Sequence, residues 1–286
     1  MEESQRERER IRAASAEKLA RLKALLGTLD RALVAFSGGV DSTFLLAVAA
    51  EVLRGRVSAL TAHSPSVPRS ERDAARELAR QIGVRHLERE SHEAEDPRYL
   101  ANPIDRCYYC KAELYRLCAE AARAEGGAAV LDGFNADDRR DYRPGHRAAQ
   151  EAGVRSPLAE AGLAKVEIRA WSEAYGLATW DKPQMACLAS RIPYGTAITP
   201  ERLSRVEAAE AGVRGAGLRQ FRVRDHGAVG RVEVAAEEMD RAFAAREAIL
   251  AAVKGAGFAI AALDLEPFRS GRMNEVAGVR LPVVDA

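Results

Sequence analysis

Apolar positions along this chain follow two rhythms, and the place where one gives way to the other divides it. Ala32-Leu33-Val34-Ala35-Phe36 and the segments 56–62 and 128–133 are short, mostly apolar runs of strand length, as in a sheet buried on both faces, and 84–89 reads as a further strand. Residues 154–158 read as a short fifth strand. Between them, 43–53 reads as an apolar helix and 69–82 as a helix opened by Pro68 and closed by Gly83. Strands alternating with helices predict a parallel α/β sheet covered on both faces. From Thr199 the pattern changes. Residues 200–211 read as a helix capped by Thr199, and 219–224 with 230–234 as a two-stranded ribbon around Asp225-His226-Gly227. A helix over 237–253 and a strand over 258–265 complete a small α+β unit. Residues 2–23 mix acids with Arg and Lys, and Ile11, Leu19, Leu22 and Leu26 form a sparse apolar stripe, as on a solvated amphipathic helix. The expected division is an N-terminal helix over 1–27, an α/β domain over 28–198 and an α+β domain over 199–286.

Composition changes this picture only by exclusion. The 286 residues, 47% hydrophobic, suffice for one large core or two smaller ones. With 43 basic and 42 acidic residues the net charge is +1, so no broad basic face argues for a nucleic-acid partner. No apolar run approaches the ~18 residues of a membrane span, and the N-terminus lacks the apolar core of a signal peptide. A cytoplasmic protein with four reduced cysteines is expected, unless they bind something.

The strongest chemical signal is Ser37-Gly38-Gly39-Val40-Asp41-Ser42-Thr43, between a predicted strand and a predicted helix. Two glycines let the backbone turn sharply and bring its N–H groups against an anion. The helix N-terminus adds unpaired N–H groups and a positive dipole end. Ser37, Ser42 and Thr43 add hydroxyls, and Asp41 can cap the helix or hold Mg²⁺. Without a lysine at its end, this is not a Walker A loop. It resembles the PP-loop, SGGxDS, of ATP pyrophosphatases, which grip the β,γ-pyrophosphate of ATP and adenylate a substrate. In such sheets ligands sit beyond the strands' carboxyl ends, so Ser37, Ala62-His63-Ser64 and Gly133-Phe134-Asn135 should cluster, with Ala62 and His63 near the adenine.

Two cysteine features stand apart. Cys107-Tyr108-Tyr109-Cys110 leads, through Lys111, into a helix reaching Glu125; alone it reads equally as a redox pair, half a zinc site or a cluster anchor. Cys118, about two helical turns on, reads as core. Cys187 lies in an irregular stretch flanked by Lys182 and Arg191, cations that favour the reactive thiolate. Arg222 and Arg224, two apart on a strand, share a face with room for anionic groups or with solvent. Asp132, Asn135 and Asp138 fall at a predicted strand end, and Glu233 is a candidate acid/base group.

Taken together, the segments 37–42, 106–111, 132–138, 141–145, 187–191 and 264–271 resemble the LarE family over nearly the whole chain. LarE-type enzymes adenylate a carboxylate of pyridinium-3,5-biscarboxylic acid mononucleotide and insert sulfur, in biosynthesis of the nickel-pincer cofactor of lactate racemase. The resemblance implies ATP and Mg²⁺ as cofactors, a nucleotide substrate and a homo-oligomer, a hexamer in the family. It makes Cys187 the sulfur-bearing residue, and it leaves two routes. In one, Cys187 gives up its own sulfur and remains as dehydroalanine. In the other, Cys107, Cys110 and Cys187 hold a [4Fe-4S] cluster whose fourth iron carries sulfide. Arg191, Arg222, Arg224 and Arg269, the last by its place in the resembling C-terminal motif, are candidates to bind the substrate's phosphate and carboxylates, and Asn135 and Asp138 are candidate substrate-binding residues at the strand end. The alternatives are an amidating PP-loop ligase, a tRNA thiolase and a non-catalytic nucleotide-binding protein.

Overall fold

A computed structural model describes residues 2–140, 144–183 and 186–269, together with 272 and 275. Two helices, α1 (Glu2–Ala14) and α2 (Ala16–Gly27), lead into β1 (Ala32–Ala35), α3 (Val40–Leu53), β2 (Val57–His63), α4 (Arg69–Ile82) and β3 (Arg85–Glu90). Next come α5 (Pro97–Leu100), α6 (Arg106–Ala124), β4 (Ala129–Leu131), α7 (Pro144–Glu151), α8 (Pro157–Ala161) and α9 (Lys165–Ala174). The chain then runs through α10 (Pro200–Gly215), β5 (Phe221–His226), β6 (Val229–Val234), α11 (Met239–Ala244), α12 (Arg246–Gly255) and β7 (Ile260–Leu263).

The first four strands form a parallel sheet in the order β3-β2-β1-β4. Its two-residue alternation is visible in β1. Ala32, Val34 and Phe36 join a core with α2, α3, α4, α8 and α9, whereas Leu33 and Ala35 join another with α6 and α7. The expected parallel sheet between two helical layers is therefore present. β5, β6 and β7 form a second, mixed sheet, with β5 antiparallel and β7 parallel to β6. Its core takes in α10 and α12, and also Tyr99, Leu188 and Ile192 from earlier in the chain.

Local signals placed several ends well. α4 starts after Pro68 and stops at Gly83, whose φ of +79° suits glycine. Thr199 caps α10 by accepting a hydrogen bond from the Arg202 N–H.

Four expectations need correction. α3 begins at Val40, so Gly39 is its N-cap and Asp41 lies inside its first turn. The 154–158 segment makes a single bridge, Leu131 to Arg155, and Pro157 then starts a helix. The helix expected over 237–253 is divided near Ala245, which lets Ala242, Ile249 and Val253 all face the core. The N-terminal stripe is not solvated: the chain breaks at Ser15, and Leu19, Leu22 and Leu26 are buried in the main core. Cys118 is core as expected, and burial pushes its thiol up to about 12. No helix among the described residues is long and apolar enough to cross a membrane.

Candidate active site

β1 delivers the chain into the glycine turn, and α3 leaves it. Gly38 has a φ of +67°, and a Cβ there would stand 3.1 Å from the Cα and Cβ of Ala75 on α4. Ser42 folds back on the turn: its Oγ accepts from the Ser37 N–H at 3.3 Å and lies 3.1 Å from Ser37 Oγ. The Gly39 N–H points to Ser37 Oγ at 3.4 Å. The Thr43 hydroxyl is fully buried without a hydrogen-bond partner among the described residues. Val40 is buried beneath the turn. Hydroxyls and N–H groups thus surround the helix start, an arrangement suited to an anion.

The loop after β4 closes on this turn. A Cβ on Gly133 would lie 2.9 Å from the Ser42 nitrogen, so only glycine admits the approach. Asn135 Nδ2 donates to Asp41 Oδ1 at 3.4 Å, and Asn135 Oδ1 accepts from the N–H groups of Asp137 and Asp138. Asp138 accepts from the Asn135 N–H, which fixes the loop's shape. Asp132 is held by the Tyr115 and Ser156 hydroxyls. The motif residues Asp141, Tyr142 and Arg143 lie outside the described residues.

Two lysines that the motif did not announce also reach the turn. Lys165, first residue of α9, places Nζ 2.5 Å from Asp41 Oδ2. Lys182 Nζ donates to the Gly38 carbonyl at 3.1 Å and to Glu71 at 2.7 Å. Lys182 was expected beside the Cys187 thiol, and its ammonium instead serves the nucleotide turn. Nothing in the local pattern marked Lys165. His63 Nε2 lies 2.6 Å from Glu88, at an angle too poor for a hydrogen bond, and its Nδ1 faces Glu90. Its partners are thus on β3, while Ala62 lies beside it at the end of β2.

The cysteines come together from two places. Cys107 and Cys110 sit in the first turns of α6, inside the helix rather than before it. Cys187 precedes a short 3₁₀ turn, Leu188–Arg191. Burial pushes the Cys110 thiol up, and the charges of Glu93, Cys187 and Cys107 add to this, so the three sulfurs share one neighbourhood. Arg106 is buried beside them. Burial alone would lower its pKa, but Cys187 and Cys107, together with Tyr194 and Tyr99, more than offset this. Even so, among the described residues no three Cys, His, Asp or Glu side chains stand close enough to hold a metal ion.

Arg191 is 0% exposed and fully engaged. It forms a bidentate pair with Glu210 at 2.8 and 2.9 Å, and its Nη1 donates to the carbonyls of Ala186 and Cys187. It therefore holds the backbone at Cys187. The Leu188 N–H donates to Ser66 O, whose hydroxyl meets the Tyr99 hydroxyl. Arg222 and Arg224 do share a face, but it is buried: they are 5% and 6% exposed. Arg224 pairs with Glu233 and donates to Ser190 O. Glu233, 1% exposed, also receives Arg231, so it holds two arginines in place. Arg222 lies over the Phe268 ring at 4.7 Å. Its pKa is lowered to about 10, by burial first and then by the like charges of Arg191 and Arg224, against the opposing pull of Glu210 and Glu233. Arg269 is exposed and paired with Glu275. Ser270 and Gly271 of the same motif lie outside the described residues.

Comparison with known proteins bears on both regions. Residues 28–214 match the family described as asparagine synthase, which spans the parallel sheet, the glycine turn and Cys187. An uncharacterized protein of Synechocystis is 44% identical over 91% of this chain and 97% of its own length. The pyridinium-3,5-bisthiocarboxylic acid mononucleotide synthase of Lactiplantibacillus plantarum is 38% identical over 92% of this chain and 96% of its own. An uncharacterized protein of Methanocaldococcus jannaschii is 27% identical over 60% of this chain and 68% of its own.

Proposed function

This chain belongs to the LarE family, within the PP-loop domains described as asparagine synthase, and from that premise we propose that it thiolates a carboxylate of a pyridinium mononucleotide at the expense of ATP. Support comes from one arrangement above all. The Cys187 segment is tied to the loop after β2 by the Leu188 N–H bond to Ser66 O and to the arginine-rich face of β5 and β6 by the Arg224 bond to Ser190 O, with Arg191 pinning its backbone to Glu210. That puts a sulfur nucleophile where an activated acyl group and its anionic substituents would meet.

In this reading residues 37–43 and Gly133 hold the phosphates of ATP. A carboxylate oxygen of pyridinium-3,5-biscarboxylic acid mononucleotide attacks the α-phosphorus, the bond to the β-phosphate oxygen breaks, and pyrophosphate leaves. Carboxylate oxygen is a poor leaving group, and AMP on the acyl carbon is a good one. The Cys187 thiolate attacks that carbon and expels AMP, giving a thioester. Loss of the Cys187 α-proton to a base then breaks the Cβ–S bond. The thiocarboxylate departs with both bonding electrons, and dehydroalanine remains. Each chain reacts once.

The residues at the start of α3 fit a magnesium–ATP complex, since Asp41 offers a carboxylate beside the phosphate cradle. When bound, Mg²⁺ would neutralise phosphate charge. Asn135 orients Asp41, and Asp138 orients Asn135. Arg222 and Arg224 are the groups for the substrate's phosphate or free carboxylate. Arg222 is crowded by like charges, and an anion there would relieve them.

A second reading rests on Cys107 and Cys110 sharing the surroundings of Cys187. A [4Fe-4S] cluster on the three would offer sulfide at an open iron and spare Cys187. Among the described residues no group of side chains stands ready for a single metal ion, and no step is derived through the cluster.

The deciding experiment is anaerobic purification followed by iron and acid-labile sulfide analysis and intact mass after turnover. A colourless protein that loses the elements of hydrogen sulfide supports the sacrificial route. A brown protein of unchanged mass, with about four irons per chain, replaces it with the cluster route. Assembly into a homo-oligomer, a hexamer by family resemblance, is read by light scattering.

A further inference from the structure

The PP-loop carboxylate already has a cation. Asp41 Oδ2 lies 2.5 Å from Lys165 Nζ, and Asp41 Oδ1 accepts from Asn135. Both oxygens are engaged, and the pair is largely shielded, with side chains 31% and 22% exposed. A divalent cation placed on Asp41 would meet the Lys165 ammonium at close range, and the two charges would repel. Metal alone is therefore disfavoured at this carboxylate. A triphosphate changes the balance, because its charge attracts the same ammonium. The fully buried Thr43 hydroxyl, without a partner among the described residues, and the N–H groups at the α3 start supply further donors.

Lys165 can move without dismantling its helix. The start of α9 is held by backbone donors: the Lys165 N–H donates to Asp137 Oδ2, and the Ala164 N–H to Glu167 Oε2. Neither bond uses the lysine side chain.

We propose that Lys165 is a positioning residue that couples metal binding to nucleotide arrival. Without nucleotide it neutralises Asp41; with nucleotide it passes to the phosphates and releases Asp41 to the divalent cation. The metal is then accepted with the nucleotide and not before it. This rests on the reading that Asp41 takes the metal.

The test is a titration of the full chain with Mn²⁺, followed by electron paramagnetic resonance, with and without α,β-methylene-ATP. Wild type should bind Mn²⁺ at least about tenfold more tightly when the nucleotide is present. In Lys165→Met, Mn²⁺ alone should bind at least about tenfold more tightly than to wild type, and the metal-free nucleotide at least about tenfold more weakly. Lys165→Arg should restore the coupling, and Lys165→Gln repeats the test if the methionine variant does not fold. Equal Mn²⁺ affinity in wild type and Lys165→Met overturns the proposal. Asp41→Asn tells the two failures apart: Mn²⁺ binding that survives it means that the metal assignment itself is wrong.

Discussion

In the nucleotide turn, residues 37–43 make one another's contacts: Ser42 bonds Ser37, Gly39 points to Ser37, and the Thr43 N–H bonds Gly39 O. In the cysteine segment 187–191, the anchors come from far along the chain: Ser66, Glu210 and Arg224. The first region takes its shape from local backbone geometry, and Asn135, Lys165 and Lys182 only add to it from outside. The second is assembled by buried charge pairs, each dependent on a remote partner. Local construction makes a region readable and tolerant of distant change, whereas assembly from remote parts makes it sensitive to the packing of the whole molecule.

The largest effect should come from separating the two regions chemically. Cys187→Ala should reduce sulfur insertion to background while substrate-dependent ATP–pyrophosphate exchange continues. Sulfur-free product formed at the wild-type rate would instead favour an amidating ligase, and the absence of exchange in wild type a non-catalytic nucleotide binder.

Removing a remote anchor comes next. Glu210→Ala leaves Arg191 buried without its carboxylate, and such losses cost about 3–5 kcal/mol. Urea unfolding should show it, and protease cleavage near residue 187 should increase. If stability falls by less than 1 kcal/mol, on the order of a surface pair, the contrast drawn here fails.

Smaller effects are expected in the nucleotide turn. Gly38→Ala must hold a positive φ and approach Ala75, at a cost of about 1–2 kcal/mol. Gly133→Ala should cost about 1–3 kcal/mol by pressing on Ser42. Both should weaken ATP binding in calorimetry and leave alkylation of Cys187 unchanged.

The smallest effect is a pH dependence in the same half. Burial lowers the pKa of His86, whose ring meets Phe36 edge-on and whose Nε2 meets the Thr61 hydroxyl. The unfolded chain then binds the proton more readily than the folded one. Stability is full above the unfolded value of about 6.5 and declines as pH falls from there toward the folded value. In thermal melts His86→Gln should flatten that decline.

The fold was legible where single residues impose backbone geometry. Pro68 and Gly83 bounded α4, Thr199 marked α10, and apolar runs located β1, β2 and β4. It was illegible where neighbours decide. The 154–158 run reads as a strand but pairs only at Arg155, because Pro157 turns the chain into α8. α2 reads as solvated, yet the main core needs its leucines as a cover.

The sequence alone determined the parallel α/β sheet and the glycine turn with its hydroxyls. Each is written in contiguous residues whose steric and hydrogen-bonding preferences act over a few positions. Only the tertiary structure decided which charges meet. Arg191 and Glu233 looked available for chemistry and are closed in ion pairs, whereas Lys165, unmarked in the sequence, sits on the nucleotide carboxylate. A side chain's charge is local, but its partner is chosen by the fold, and burial makes that pairing compulsory.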